Sequence, residues 1–228
     1  MRFDIITILP ETFGSYVDSS IIRRARASGI VKFKFHNPRD FVKDKHKTVD
    51  DKPYGGGAGM VLMAEPILKA CGAIKKEKRR KVILLSAKGK QFNQKIARGW
   101  AKKYKQIILI SARYEGIDER VKTILRAEEI SIGPYILTDG DIASMVLISA
   151  LTRLLPGAIK WESLKEESHF NLLTTKEGIG GEGLEYPHYT RPETLKYKGK
   201  KYAVPKILLS GNHKKIEEWR RKHQKAGL

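Results

Sequence analysis

The sequence predicts an α/β protein, in which an open sheet flanked by helices is followed by a small, mainly helical and basic C-terminal domain. Short apolar runs with the length of buried strands alternate along the chain with longer amphipathic segments. Several of these runs end in polar turns that contain glycine. The chain has 228 residues, which is enough for one large domain and a small appendage.

The first half of the chain supplies a strand, a helix and a second strand in succession. An apolar run at residues 3–9 ends at a proline and predicts a buried first strand. Apolar residues recur at helical spacing over residues 11–28. Residues 30–36 alternate apolar and polar side chains, which is typical of a half-buried strand. Another helix is predicted over residues 64–73.

Three more strands are predicted in the second half, at residues 82–86, 107–110 and 130–132. They run into the polar sequences SAKGK, ARYEG and GPYILTDGD. Helices are predicted over residues 91–103 and after Asp118, which can cap its helix. In open α/β sheets ligands bind outside the carboxyl ends of the strands, so the three turns are expected to build one pocket.

A strongly apolar helix is predicted over residues 142–155, with Asp141 as its cap. A helix that is apolar on nearly every side is buried in a core or at a subunit interface. Arg153 is either a surface residue of this helix or directed into a site, and the pattern leaves both open.

The last part of the chain has a different character. Residues 158–185 show little periodicity and contain GIGGEG, which predicts a linker. The segment after it is small and basic, and Ser210 or Asn212 can cap its final helix. Tyrosines interleave with its cations, as at surfaces that stack bases, although ordinary packing explains each of them singly: Tyr186, Tyr189, Tyr197 and Tyr202.

The charge distribution favours a polyanionic partner. The formal net charge is +20, and positive surface gains binding energy by releasing counterions from a phosphate backbone. A solvated surface is the alternative. Residues 75–105 hold thirteen Lys or Arg against one acid, whereas residues 111–143 hold seven acids against four Lys or Arg. The acidic stretch coincides with the predicted pocket.

Composition excludes several classes. No run of about 18 apolar residues is present, so the sequence contains no membrane span. The N-terminus lacks a long apolar segment and predicts a strand and not a signal peptide, so we expect a cytoplasmic protein. Cys71 is the single cysteine, which excludes an intrachain disulfide and favours a small core residue over a catalytic thiol.

A glycine-rich segment, PYGGGAGM at residues 53–60, lets backbone amides approach a ligand closely. It is not a P-loop, because no Gly-Lys-Ser/Thr follows. Two interpretations of this segment remain, a phosphate-binding loop and a flexible loop without a ligand. Asp50 and Asp51 beside it are either a metal or proton site or simply solvated acids.

Six segments together resemble one family, the bacterial tRNA (guanine-N1)-methyltransferases of the SPOUT class. They occur in the same order as in the family and span nearly the whole chain: VDDKPYGGGAGM at 49–60, RYEGIDERV at 113–121, SIGPYIL at 131–137, RLLPG at 153–157, PHYTRPE at 187–193 and VPKILLSGNHKKIEEWR at 204–220.

The resemblance implies a fold, a cofactor and partners. Residues 1–160 would form an α/β domain with a trefoil knot, residues 161–185 a linker, and residues 186–228 a small tRNA-binding domain. The protein would be a homodimer with its active site between subunits, and helix 142–155 is a reasonable part of that interface. S-adenosylmethionine would bind to the knot loops, through Leu84, Leu85, Ser86, Ala87, Ala112, Tyr114, Gly116, Ser131, Ile132, Gly133, Pro134, Tyr135, Ile136, Leu137, Asp139, Gly140 and Ala143.

The same resemblance implies methylation of guanine N1 immediately 3′ of the tRNA anticodon, at position 37. A general base must remove the N1 proton, and Arg153 would stabilise negative charge on O6. Glu115 is a further catalytic candidate, and Mg²⁺ is left open, with no ligand assigned. The candidates for binding tRNA are Asp51, Gly57, Gly59, Met60, Glu185, Arg191, Asn212, His213, Lys214 and Arg220.

The chain departs from the family pattern most clearly at the residue that would act as the general base. The family's linker Asp falls on Ser168, which cannot act as a base, so Glu167 or His169 is hypothesised to replace it. Asp139 stands at a glycine position, where it would narrow the pocket or contact the sulfonium. These changes keep two alternatives open: a catalytically degenerate relative that binds tRNA, and a methyltransferase of the same class with another RNA target.

Overall fold

Five parallel strands form the central sheet, in a computed structural model that describes residues 1–160 and 186–223. Their order across the sheet is β2-β1-β6-β5-β7. They are β1 (Arg2–Ile6), β2 (Lys32–His36), β5 (Arg80–Gln91), β6 (Gln106–Ile110) and β7 (Glu128–Ser131), while β3 (Asp50–Asp51) and β4 (Val61–Leu62) pair separately. The α/β class is therefore confirmed.

Helices cover both faces of the sheet because alternate side chains of the inner strands point to opposite sides. Phe3, Ile107 and Leu109 pack in one apolar cluster, and Ile6, Ile108 and Ile110 pack in the other. The helices are α1 (Gly14–Val17), α2 (Ser20–Ala27), α3 (Ala64–Ala73), α4 (Gln94–Lys103), α5 (Glu119–Leu125) and α6 (Gly140–Thr152), with 3-10 turns at Pro10–Phe13 and Pro38–Phe41. Residues of α2, α4 and α6 lie in the first cluster and residues of α3 and α5 in the second.

The predicted helix over residues 11–28 is wrong in one respect, because it is interrupted. A 3-10 turn and the short α1 precede α2, and Ser20 at the start of α2 has a left-handed φ of 46°. That conformation cannot continue a right-handed helix. The apolar spacing persisted across the break, so periodicity alone did not reveal it.

The chain divides into two compact units, residues 1–159 and a second unit that begins at Lys160. In the second, β8 (Thr194–Tyr197) and β9 (Lys200–Ala203) form an antiparallel hairpin, followed by a 3-10 turn at Lys206–Leu209 and helix α7 (His213–His223). Asn212 caps α7, since its side chain accepts a hydrogen bond of 3.1 Å from the backbone N–H of Lys215. The cap prediction is confirmed.

The hairpin was not predicted from the sequence, which suggested a mainly helical segment. Its turn residues Lys198 and Gly199 both have positive φ, 47° and 74°, as the favoured two-residue hairpin turn requires. The lysine-rich strands concealed the alternation on which strand prediction depends. None of the helices described is long and apolar enough to cross a membrane.

Candidate active site

A cavity of about 480 Å³ lies at the carboxyl ends of β5, β6 and β7. Its lining comes from the segments that follow or interrupt these three strands, so the prediction of one pocket from three strand exits is confirmed. Residues from the sequence-predicted cofactor set that line it are Leu84, Leu85, Ser86, Ala87, Ala112, Tyr114, Gly116, Ser131, Ile132, Tyr135, Ile136, Leu137, Asp139, Gly140 and Ala143. Gly133 and Pro134 are not in the lining.

The first wall of the cavity is a bulge inside β5 and not the tight turn that the sequence suggested. Leu85 and Lys90 both pair with Ile130, so the residues between them loop out of the ladder. Gly89 closes the loop against β7, because a Cβ there would lie 2.5 Å from the backbone nitrogen of Ile130. Polar residues in the bulge resemble those of a turn, which is why sequence analysis ended the strand too early.

The second wall follows β7. The Ser131 hydroxyl donates a hydrogen bond of 2.8 Å to the Gly133 carbonyl and accepts one of 3.2 Å from its N–H. The ring of Tyr135 lies over Gly133, where a Cβ would be 2.2 Å from Cε1 of the ring. Gly133 therefore shapes this wall from behind, while Tyr135 lines the cavity.

The third wall joins the turn after β6 to the start of α6. The Gly140 N–H donates a hydrogen bond of 2.7 Å to the Ala112 carbonyl, and a Cβ on Gly140 would lie 2.7 Å from the Ala112 nitrogen. Asp139, not Asp141, caps α6: its side chain accepts hydrogen bonds from the N–H groups of Asp141 and Ile142. The helix begins two residues earlier than predicted, so the cap moves with it.

Arg113 and Asp141 form an ion pair behind this wall that sequence analysis missed. Nη2 of Arg113 lies 2.8 Å from Oδ2 of Asp141 and 3.5 Å from Oδ2 of Asp139. Asp141 is 1% exposed. The acidic excess of residues 111–143 was visible in the sequence, but its pairing with a specific arginine was not.

The charged lining of the cavity is acidic. Four carboxylates, those of Glu115, Glu119, Glu129 and Asp139, stand against two cations, Lys88 and Arg113. Both cations are already paired, Lys88 with Glu119 at 3.3 Å and Arg113 with Asp139. Lys122, outside the lining, also pairs with Glu119 at 3.1 Å and with Glu129 at 2.8 Å, so the carboxylates still outnumber the cations by one. A cation would therefore be favoured here over an anion.

Glu129 is held in its charged form. Burial alone would raise the pKa of this carboxyl, but hydrogen bonds from Lys122 and Ser86 and the charge of Lys88 outweigh it, so the pKa lies below its usual value. Its buried Oε1 accepts no hydrogen bond among the described residues, although it forms a longer ion pair with Lys88, at 3.7 Å. A ligand donor in the cavity can satisfy this oxygen.

The glycine-rich segment adjoins the cavity at Glu115. The Glu115 N–H donates a hydrogen bond of 3.0 Å to the Met60 carbonyl, and a Cβ on Gly59 would lie 2.4 Å from Oε1 of Glu115. Gly59 and Met60 are thus near Glu115, as a shared site requires. Among the described residues beyond its chain neighbours, a Cβ on Gly57 would come within 4 Å of Pro53 alone, at 3.7 Å. Asp51 pairs with Val61 in the β3–β4 ladder.

Arg153 is not brought to this cavity within one chain. It is the residue that ends α6, whose first residue, Gly140, lines the cavity. A helix of 13 residues is about 20 Å long, so the guanidinium belongs to the opposite end of the helix.

The remaining predicted residues lie elsewhere. Glu167, Ser168, His169 and Glu185 lie outside the described residues. Arg191, Asn212, His213, Lys214 and Arg220 belong to the second unit, where Arg220 stacks over the ring of Tyr186 at 4.8 Å. Among the described residues, no group of three or more His, Cys, Asp or Glu side chains could hold a metal ion.

Comparison with known proteins gives the family. A model of the family described as tRNA (Guanine-1)-methyltransferase TrmD matches residues 1–227. The chain is 52% identical over 223 residues to a tRNA (guanine-N(1)-)-methyltransferase of Dictyoglomus turgidum, covering 97% of this chain and 84% of that protein. A protein of the same name from Thermomicrobium roseum is 48% identical, with 97% and 78% covered. The chain therefore belongs to the tRNA (guanine-1)-methyltransferase family TrmD.

Proposed function

We propose that this protein transfers the methyl group of S-adenosylmethionine to N1 of the guanine immediately 3′ of the tRNA anticodon. The observation that carries the proposal is the acidic cavity at the carboxyl ends of β5, β6 and β7. Its position follows the ligand rule for open α/β sheets, and its charge suits a cationic ligand in an otherwise basic protein.

The residues present fit the cofactor. A volume of about 480 Å³ lies in the usual range for small-molecule pockets. Backbone groups of Ile132, Tyr135 and Leu137 would hold the adenine, and those of Ala112 and Tyr114 the rest of the molecule. When bound, S-adenosylmethionine supplies an electrophilic methyl group on a sulfonium. The charged Glu129 carboxylate, whose Oε1 accepts no hydrogen bond among the described residues and lies 3.7 Å from Lys88, is the acceptor that we assign to a cofactor donor.

The acceptor guanine needs a base, because its N1 is protonated at neutral pH. We hypothesise that Glu167 or His169 takes this role in place of the serine at 168. If both Glu167→Gln and His169→Ala keep the rate and pH profile of the parent, the hypothesis fails. We assign to Glu115 a contact with the guanine that enters beside the cofactor, and its proximity to Gly59 supports this assignment.

We propose that the active site lies between two subunits. Arg153 ends α6 about 20 Å from the cavity of its own chain, so only a second chain would bring it to the guanine O6. Ile136 and Ile142, beside the cavity, are 83% and 50% exposed. Apolar side chains exposed in this way are covered in a homodimer.

We further propose the trefoil knot and the division of the chain into residues 1–160, 161–185 and 186–228. The compact unit at residues 1–159 supports the first boundary. In the third segment, Lys196 and Lys201 lie directly opposite each other in the β8–β9 hairpin, and like charges so placed destabilise the pair. A phosphate between them relieves this repulsion, which supports tRNA binding. Lys196→Glu is expected to weaken tRNA binding while stabilising the hairpin.

The test is methyl transfer in vitro. The purified protein is incubated with radiolabelled S-adenosylmethionine and tRNA transcripts carrying G or A at position 37, with and without a chelator to establish any Mg²⁺ requirement. We expect incorporation into the G transcript alone. If the protein binds tRNA but transfers no methyl group, it is a catalytically degenerate relative. If both transcripts are labelled equally, it methylates another target.

A further inference from the structure

A second concavity, of about 430 Å³, lies in the first unit at the opposite edge of the sheet. Six cationic groups line it: the amino group of Met1 and the side chains of Arg2, Lys32, Arg79, Lys102 and Lys105. We call this set the basic concavity. No role in the proposed methyl transfer uses it.

Sheet topology brings these cations together. Arg2 and Lys32 begin β1 and β2, and Arg79 and Lys105 directly precede β5 and β6. Backbone hydrogen bonds fix the four segments, from Arg2 N–H to the Lys105 carbonyl at 2.8 Å and from Lys105 N–H to the Arg79 carbonyl at 2.8 Å. The concavity is therefore held at the amino ends of the strands, roughly 16 Å from the cofactor cavity along a five-residue strand.

Four of the five basic side chains of the concavity, all but Arg2, form no ion pair among the described residues. Arg2 pairs with the buried carboxylate of Asp4 at 2.8 Å and lies 3.7 Å from Glu77, the one lining carboxylate. Both hydrogen bonds of the Arg79 guanidinium, each 2.6 Å, go to neutral carbonyls, those of Lys102 and Lys103. Across residues 1–160 and 186–223, no ion pair forms to Lys32, Lys102 or Lys105. In the cofactor cavity, by contrast, both lining cations are paired.

The cations of the basic concavity repel one another at the N-terminus. Burial lowers the pKa of the Met1 amino group, and the charges of Lys105 and Lys32 lower it further. An anion in the concavity offsets this repulsion and gains several charge-assisted hydrogen bonds at once.

We propose that the basic concavity binds backbone phosphates of tRNA. The proposal rests on the proposed function for its choice of polyanion. Ammonium and guanidinium groups of the concavity would contact phosphate oxygens and no bases. Such contacts add affinity and orient the tRNA, but they do not add sequence specificity.

The test compares two double variants with the same change in charge. Lys32→Gln with Lys105→Gln removes two cations from the concavity. Lys69→Gln with Lys95→Gln removes two exposed cations from α3 and from the first turn of α4, and serves as the control. All four side chains are on the surface, so thermal unfolding should match the parent in both.

We expect the concavity variant to bind tRNA about tenfold more weakly at low salt, with the slope of log affinity against log salt reduced by about 2, one for each lost phosphate contact. Its kcat at saturating tRNA should stay unchanged, because the two lysines are proposed to contact phosphates and not the reacting atoms. The control should keep the affinity and the slope of the parent. tRNA binding is read without methyl transfer, so failure of the proposed activity would leave this result interpretable.

If the concavity variant binds tRNA with the affinity and the salt dependence of the parent, the proposal is wrong. Equal weakening in both variants would also overturn it, since net charge and not this surface would then be responsible. Titration with inorganic pyrophosphate, followed by calorimetry, is the third arm. If the parent binds pyrophosphate, and the concavity variant loses this binding but keeps the tRNA affinity of the parent, the concavity is a site for small anions and not for RNA.

Discussion

Arg113 and Asp141 are joined across the wall of the cavity, with Nη2 of the arginine 2.8 Å from Oδ2 of the aspartate. Asp141 is almost fully buried, and its Oδ1 has no hydrogen-bond partner among the described residues. The pair holds the turn after β6 against the first turn of α6. It also keeps the charge of Arg113 neutralised next to a site proposed for a cationic cofactor.

Asp141→Asn tests this arrangement. The amide keeps the shape but not the charge, so Arg113 would retain only its longer ion pair with Asp139, at 3.5 Å, and the site would lose one negative charge. We expect the Kd for S-adenosylmethionine to rise about tenfold, equivalent to about 1.4 kcal/mol. Calorimetric titration measures it, with Asp40→Asn, at an exposed carboxylate, as the control. Unchanged affinity in Asp141→Asn would show that the cavity does not hold the cation.

Gly89→Ala tests the bulge in β5. The added Cβ would lie within about 2.7 Å of three backbone atoms of Glu129 and Ile130, so strand β7 must shift. We expect a loss of about 1–3 kcal/mol in the free energy of unfolding and weaker cofactor binding. Gly99→Ala, in α4, has no atom within 4 Å of the new Cβ and should instead stabilise the protein by roughly 0.5–1 kcal/mol. Equal effects of the two changes would contradict this account of the bulge.

Sequence periodicity predicted the sheet better than the details of the site. The run ending at Ile110 was recognisable because buried parallel strands are continuous apolar segments, whereas β7, with the sequence EEIS, was predicted two residues late. The bulge after Leu85 was not, because a strand that leaves and rejoins its ladder looks like a turn. The pairing of Arg113 with Asp141 spans 28 residues, and no local pattern encodes it.

Asp4 provides a test of stability against pH. Its carboxylate is fully buried; burial would raise its pKa, but hydrogen bonds from His36, Gln106 and Arg2 lower it below the usual value. A lowered folded-state pKa stabilises the protein above the unfolded pKa of about 4, and this contribution is lost as pH falls through the folded value.

Asp4→Asn should therefore cost about 2–3 kcal/mol at pH 7, because it leaves Arg2 without its charged partner. The difference in Tm between parent and variant should begin to narrow as the pH falls below about 4, where the unfolded parent takes up a proton at Asp4, and should close as the pH falls through the lowered folded-state pKa. Asp18→Asn, in an exposed ion pair with Arg26, should cost less than about 1 kcal/mol. If the difference in Tm between the parent and Asp4→Asn does not change with pH, Asp4 is not the titrating group.

Mixed dimers test whether Arg153 acts across the subunit boundary. Arg153→Ala removes the arginine, and Ala87→Trp fills the cavity from the exposed bulge. Each variant alone should be inactive. Random mixing makes half of the dimers heterodimers, each with one intact site, so about a quarter of the parental activity should return. No recovery on mixing, with dimers confirmed by light scattering, would place Arg153 outside the partner's site.

The catalytic residues illustrate what sequence and structure each contribute. The motifs around Arg153 and Tyr114 identified the family, while the helix length showed that one chain does not bring them together. The base hypothesis for Glu167 or His169 stays a prediction, because both lie outside the described residues. The basic concavity was hidden in the sequence, where residues 75–105 were simply a basic run.

The central claim is methyl transfer to one atom of one nucleotide. Its most direct test is mass spectrometry of a nuclease digest of a tRNA transcript, after reaction with S-adenosylmethionine and the parent protein. We predict a single added methyl group, as 1-methylguanosine at position 37, which is absent when position 37 is adenosine. A methyl group on another nucleotide, or none at all on a transcript that the protein binds, would contradict the claim.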